Sequence, residues 1–252
     1  MGRDPTTRRE AVAVTSAFLW GALGASALLV GALIAYVFDP GPRIIALVMA
    51  LGSGLLIGSV SFELIDDAVT STSVASVGAL ALIGAGVFTA GDWMLEWRGG
   101  GRRKDATGQQ ADGSGLAIVL GSVLDGIPES FVLGLTVKEG GVSVALLAGI
   151  VLSNLPEGMA SSSGLKRAGW PTGRVVAMWS AVIAVSAVSA LLGYAVLDPS
   201  AAGGGLVEAF AAGALLAMIS DTMLPEAFKV EGVFTGPLVV GGFAVSIILS
   251  AL

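Results

Sequence analysis

Long apolar runs, separated by short polar or Pro/Gly-rich turns, constrain this chain more than any other feature of its sequence. Eight such runs are present, and each has about the 20 residues that a helix needs to cross a bilayer. In lipid, backbone N–H and C=O groups must bond within their own segment, so runs of this length fold as helices. With 54% hydrophobic and 13% charged residues, the chain has too little polar surface for a water-soluble domain. The sequence therefore predicts an all-α integral membrane protein.

The predicted spans form a single transmembrane domain over residues 1–252. If the N-terminus is outside, nine of the 13 Lys and Arg residues fall on the cytoplasmic side, as the positive-inside rule favours. We therefore expect a multi-pass protein of the plasma (cell) membrane with both termini extracellular. The spans cover about 11–37, 43–68, 74–95, 115–137, 142–165, 174–197, 206–228 and 234–252, with a basic cytoplasmic loop at 98–114.

Two Pro–Glu motifs stand in the middle of spans four and five, Asp125–Glu129 and Ser153–Glu157. Acidic side chains inside lipid are costly and mark ion pathways. In each motif two polar side chains stand four residues apart, which puts them on one helix face. Each proline also frees a carbonyl of the preceding turn, which adds a hard oxygen donor. The sequence predicts a cation site between these spans, made by Asp125, Glu129, Ser153, Asn154 and Glu157.

Two acid-rich segments, one in span two and one in span seven, match each other. Both read as a serine, then acids, then an acid–alanine pair at the same offset. The match favours an inverted repeat of spans one to three and six to eight around a central pair of spans four and five. We predict that these acids line the entrance and the exit of a cation path. They are Glu63, Asp66 and Asp67 in span two, and Asp221 and Glu226 in span seven.

The absence of His and Cys removes thiolate ligands, disulfides and the usual neutral-pH base. Motifs of intramembrane enzymes are also incomplete. Gly91-Asp92 lacks the earlier glycine of an intramembrane aspartyl protease, and Asp125-Gly126 is followed by Ile-Pro-Glu rather than by the pattern of a head-group transferase. We therefore expect no enzymatic activity, and a carboxylate-based intramembrane enzyme is the weakest alternative.

This pattern resembles the ZIP (Zrt/Irt-like protein) family of divalent-metal transporters. Residues 155–158 read Leu-Pro-Glu-Gly and residues 224–227 read Leu-Pro-Glu-Ala, similar to motifs of that family's fifth and seventh helices. The family's usual histidines are lacking, since Asp125 and Ser153 stand where such ligands are common. The resemblance implies eight helices, no covalent chemistry, and a divalent metal cation carried past spans four and five. It also implies that spans one, four, five and six rock against the others.

The predicted ligands are hard oxygen donors, which suit Mg²⁺, Mn²⁺ or Fe²⁺ better than a histidine-rich site does and still accept Zn²⁺. We expect one strong site rather than two, or a strong site with a weak second one, because span six offers Ser180, Ser186 and Ser189 but no acid. A non-transporting membrane protein of the same fold that binds or senses metal is the alternative function. The expected partners are the lipid bilayer, metal cations and, as an option, a second copy of the chain, but no nucleic acid.

Overall fold

The computed structural model describes residues 5–97, 115–196 and 203–251, and this part of the chain contains helices and short turns but no strand. Two helices continue through a short π-helical segment, Val60–Ile65 in one and Ile219–Met223 in the other. The predicted basic loop 98–114 lies outside the described residues. The α-helices are α1 (Pro5–Phe38), α2 (Pro42–Ser59), α3 (Asp66–Ser71), α4 (Val74–Leu95), α5 (Gly115–Glu139), α6 (Val144–Arg167), α7 (Thr172–Val196), α8 (Gly204–Met218), α9 (Leu224–Glu231) and α10 (Thr235–Ser250).

Seven helical stretches in the described residues are long and apolar enough to cross a membrane. Large apolar side chains are exposed along the outer helices; on α4, for example, Leu82 and Ile83 are more than half exposed. An apolar outer surface is unfavourable in water and favourable in lipid. The predicted all-α, multi-pass membrane protein is therefore confirmed at this level.

Helix bounds and helix irregularities differ in part from the expectation. Helix α1 begins at Pro5 rather than near residue 11. Pro128 and Pro156 lie inside α5 and α6, which stay helical through them. Irregular backbone occurs instead in these two π-helical segments, within the acid-rich regions of spans two and seven, and at residues 96–97 after the end of α4. A π segment widens one helical turn and is common at functional sites.

The last apolar stretch, Gly204–Ser250, folds back on itself at Gly232. Gly232 has φ of 57°, a conformation that glycine tolerates best. Before this residue, Glu231 pairs with Arg43 at the start of α2, with 3.8 Å between Nε and Oε1. After it, the Ser250 hydroxyl donates to Glu63 Oε1 beyond the end of α2, at 3.1 Å. The α8–α9 stretch and α10 therefore run in opposite directions.

Reciprocal glycine contacts join four pairs of helices. In each pair, a glycine of either helix faces a backbone carbonyl of the other, and a Cβ at that glycine would collide with the carbonyl oxygen. Such contacts bring helix backbones close together, which is the main source of helix association in lipid. The pairs are Gly31 with Gly158 (α1 and α6), Gly134 with Gly193 (α5 and α7), Gly54 with Gly242 (α2 and α10), and Gly84 with Gly213 (α4 and α8).

Further contacts combine these pairs into two groups of helices. Helices α1, α5, α6 and α7 pack mainly against one another, whereas the α2–α10 pair and the α4–α8 pair are joined through the segments that continue α2 and α8. The main contact between the groups is that of α2 with α6, where Gly52 faces the Leu152 backbone. Leu152 O is the carbonyl that Pro156 leaves without its helical N–H donor. This oxygen therefore faces α2 rather than the acids of α5.

We predict that Gly84→Ala destabilises the protein by about 1–3 kcal/mol, because the added methyl collides with the Phe210 carbonyl of α8. Gly86→Ala is the matched control on the same helix, since a Cβ at Gly86 meets open space. That substitution should be neutral or slightly stabilising through helix propensity. Thermal unfolding of both variants in detergent measures the difference. Equal melting temperatures for the two variants would contradict the close packing of α4 against α8.

Candidate functional site

Glu129 of α5 and Ser153 of α6 meet in the interior of the bundle. The Ser153 hydroxyl is 3.0 Å from Glu129 Oε1 and 2.9 Å from the Ile150 carbonyl of its own helix. Both side chains are buried, at 2% and 1% exposure. Ten residues separate Glu129 from the end of α5 at Glu139, which is about 15 Å at the α-helical rise. The contact therefore lies deep within the span.

The two Pro–Glu motifs are offset by one helical turn rather than level. Helices α5 and α6 are antiparallel across the turn at residues 140–143, and Glu129 is level with Ser153. On each helix, the residue four positions farther from the turn lies about 6 Å farther from it. Asp125 of α5 is therefore level with Glu157 of α6. Asp125 and Glu157 are also buried, at 1% and 5% exposure. The arrangement has two layers, with Glu129 and Ser153 in one and Asp125 and Glu157 in the next.

Polar groups of neighbouring helices surround these layers. Asn154 Nδ2 donates to the Gly24 carbonyl of α1 at 3.2 Å, which fixes this side chain against α1. On α7, the Ser189 hydroxyl donates to the Ile127 carbonyl at 2.9 Å, in the turn that contains Pro128. Ser186 of α7 is buried beside Gly126. Two of the three serines considered in span six thus face α5.

No three Asp, Glu, His or Cys side chains come together as a metal-binding group in the described part of the chain. One contact in the interior joins the Glu129 carboxylate to the Ser153 hydroxyl, and a second layer of two acids follows. A cation that passes Glu129 would therefore be coordinated by few carboxylates at a time, and neutral oxygen atoms would complete its coordination shell. Such a donor set suits hard divalent cations and weak, transient binding. The assignment of all five residues to a metal remains a prediction.

The two acid-rich segments lie near opposite ends of the bundle. Glu63 and Asp67 line a cavity of about 500 Å³, whereas Asp66 is exposed and is not among its lining residues. Toward the other end, Asp221 Oδ2 accepts a hydrogen bond of 3.0 Å from Thr89. Glu226 Oε1 lies 3.8 Å from Lys229 Nζ. Entrance and exit roles for these acids remain predictions.

Two acids of the cavity were missed by the sequence reasoning. Glu139 ends α5, and Glu208 lies on the second turn of α8; both line the cavity beside Glu63 and Asp67. Each looked like an ordinary interfacial residue, because neither stands in a repeated motif. A signal existed in the position of Glu208, which lies at the start of a strongly apolar run.

No family model and no curated protein matches this chain. The ZIP resemblance therefore depends on the short motifs and on the helical architecture.

We predict that Ser153→Ala destabilises the protein by about 1–3 kcal/mol, because a buried carboxylate loses a hydroxyl donor from the neighbouring helix. Ser163→Ala is the matched control on α6, since the buried Ser163 hydroxyl donates to the Met159 carbonyl of its own helix. The control substitution should lower the free energy of unfolding clearly less than Ser153→Ala does. Thermal unfolding in detergent tests this ordering, and a control that costs as much as Ser153→Ala would contradict it.

Proposed function

We propose that this chain transports divalent metal cations across the membrane, in the manner of the ZIP family that it resembles. The observation that carries the proposal is the contact of Glu129 with Ser153 between two apolar helices. A carboxylate at that depth is costly for stability alone and is typical of an ion pathway. The cavity supports the same function, since it reaches Val132, which lies one turn from Glu129. The transported metal is the substrate, and Mn²⁺, Fe²⁺, Mg²⁺ and Zn²⁺ are its candidates.

Eight crossings related by an inverted repeat are part of the proposal. When spans one to three are aligned with spans six to eight at an offset of 159 residues, Gly54 corresponds to Gly213. The π segment that begins at Val60 then corresponds to the one that begins at Ile219. The same offset aligns Ser61 with Ser220, so packing, backbone irregularity and sequence agree on one register. The fold-back at Gly232 supports two crossings in the last apolar stretch. Inverted repeats of this kind are frequent in secondary transporters, where the substrate binds at the repeat interface.

The two halves of the proposed repeat differ in how closely the second helix of each half packs against the central pair, α5 and α6. In one half, α2 packs on α6, with Gly149 against Leu55 and Leu56. In the other half, the corresponding region between α5 and α8 holds an apolar cavity of about 480 Å³, lined by Leu124 and Ala214 among others. Alternating access follows if the group of α1, α5, α6 and α7 rocks, so that the closed contact opens while the cavity closes.

Metal uptake tests the transport proposal. The purified protein, reconstituted into liposomes that contain a metal-sensitive dye, should take up Mn²⁺ or Zn²⁺. The Glu129→Ala, Glu157→Ala double variant should lose at least about tenfold of this rate, because the path loses a carboxylate from each layer. Glu10→Ala, Glu96→Ala is the matched control, since it removes two exposed acids at helix ends.

Two results of the uptake experiment would contradict the proposal. One is the absence of flux for all four candidate metals, which would favour the non-transporting metal-binding alternative if metal still raises the melting temperature. The other is full uptake by the Glu129→Ala, Glu157→Ala variant.

Cross-linking tests the rocking motion, and the natural absence of cysteine gives a clean background. The pair Leu55→Cys, Gly149→Cys probes the closed contact. The pair Leu124→Cys, Ala214→Cys spans the apolar cavity. Under rocking, addition of a transported metal changes the yields of the two cross-links in opposite directions, as a population shift requires. Yields that stay constant, or that change in the same direction, would contradict the motion.

A further inference from the structure

The cavity of about 500 Å³ at the end of the bundle that holds the N-terminus of α6 brings together acids from three regions of the chain: the end of span two, the end of α5 and the start of α8. Its acidic lining residues are Glu63, Asp67, Glu139 and Glu208. Hydroxyl groups stand among them: Ser143 and Ser250 both line the cavity and hydrogen-bond to Glu63. No Lys or Arg is among the lining residues, all of which the structure describes. The nearby Lys138 ammonium instead lies over the Tyr194 ring of α7, 4.5 Å from its centroid.

Glu208 supplies an independent sign of a ligand. Its side chain lines the cavity and is 7% exposed, and its Oε2 atom is buried without a hydrogen-bond partner. A second carboxyl, that of Glu139, lies within hydrogen-bonding distance of Glu208. Two adjacent carboxylates repel each other, and a cation beside them relieves this repulsion. The remaining acids of the cavity add negative charge that favours a multivalent cation.

We propose that this cavity is a second binding site, which holds a hydrated divalent cation before the cation reaches Glu129. No three of these acids are close enough to form one direct ligand shell in the described chain, so the ion keeps most of its water and is held through that water. Mg²⁺ and Mn²⁺ tolerate such binding, because carboxylates and waters share their coordination. The cavity binds its ion whether or not the protein transports, so its occupancy can be tested without flux.

The positions of the four acids, and of the α5 residues in the cavity wall, indicate how an ion moves from the cavity toward Glu129. Asp67 and Glu139 are exposed at the rim, whereas Glu208 is buried farther inside. Val132, Leu135 and Thr136 of α5 form part of the wall. Val132 lies three residues from Glu129, which is about 4.5 Å along the helix. An ion in the cavity is therefore separated from Glu129 by roughly one turn of apolar side chains.

Mn²⁺ titration of the purified full chain in detergent, at 150 mM KCl and read by electron paramagnetic resonance, tests this proposal. The wild type should bind one Mn²⁺ ion in the cavity and a second, with lower affinity, beside Glu129. Glu208→Gln should lower the affinity for the cavity ion at least about tenfold, because a charged partner of the ion is lost. Asp67→Asn should lower the affinity for the same ion. Asp66→Asn should leave that affinity unchanged, because Asp66 is exposed and lies outside the cavity lining. Glu129→Gln should leave the cavity ion bound.

The outcomes separate this proposal from the transport proposal. The absence, in 150 mM KCl, of any bound ion that responds to Glu208→Gln or Asp67→Asn would overturn the cavity site. Equal effects of Asp66→Asn and Asp67→Asn would also overturn it, since a diffuse surface charge would explain them. Two bound ions without flux in liposomes would support the cavity site while contradicting transport. If Glu208→Gln fails to fold, the Asp67→Asn and Asp66→Asn comparison decides, because both residues are exposed.

Discussion

Close backbone contact at paired glycines is the interaction on which the rest of this structure depends. In lipid, apolar burial provides little force between helices, so contacts that bring backbones together must supply it. Four helix pairs use the same reciprocal arrangement. Further contacts place α1, α5, α6 and α7 in one group, and the segments that continue α2 and α8 join most of the other helices into a second. The acids of α5 and α6 belong to the first group, and most of the cavity acids belong to the second. Relative motion of the groups would change the path between them.

The apolar sequence predicted much of the fold, because lipid leaves the backbone few alternatives to a helix. It also marked Asp125, Glu129 and Glu157, which stand inside apolar runs and are buried, but it did not mark the buried Glu208. The register between α5 and α6 could not be predicted. It depends on how the two helices meet after the turn at residues 140–143, and this packing places Glu129 beside Ser153 rather than beside Glu157.

The cavity acids and the π segments were beyond sequence reasoning for a related reason. Glu139 and Glu208 are distant in the chain, and neither is part of a motif, so their proximity depends on how α5 meets α8. A π segment adds one residue to a turn, and nothing in the composition of Val60–Ile65 distinguishes it from α-helix. The matched serine–acid segments did mark the regions in which both irregularities occur.

The central claim is that a divalent cation passes between α5 and α6 at Glu129 and Ser153. Anomalous scattering from crystals soaked in Mn²⁺ or Zn²⁺ tests it most directly, because the signal locates the metal itself. The account predicts a peak beside the Glu129 carboxylate, within reach of the Ser153 hydroxyl. Metal peaks confined to the surface or to the cavity near Glu208, with none between α5 and α6 for either metal, would contradict it.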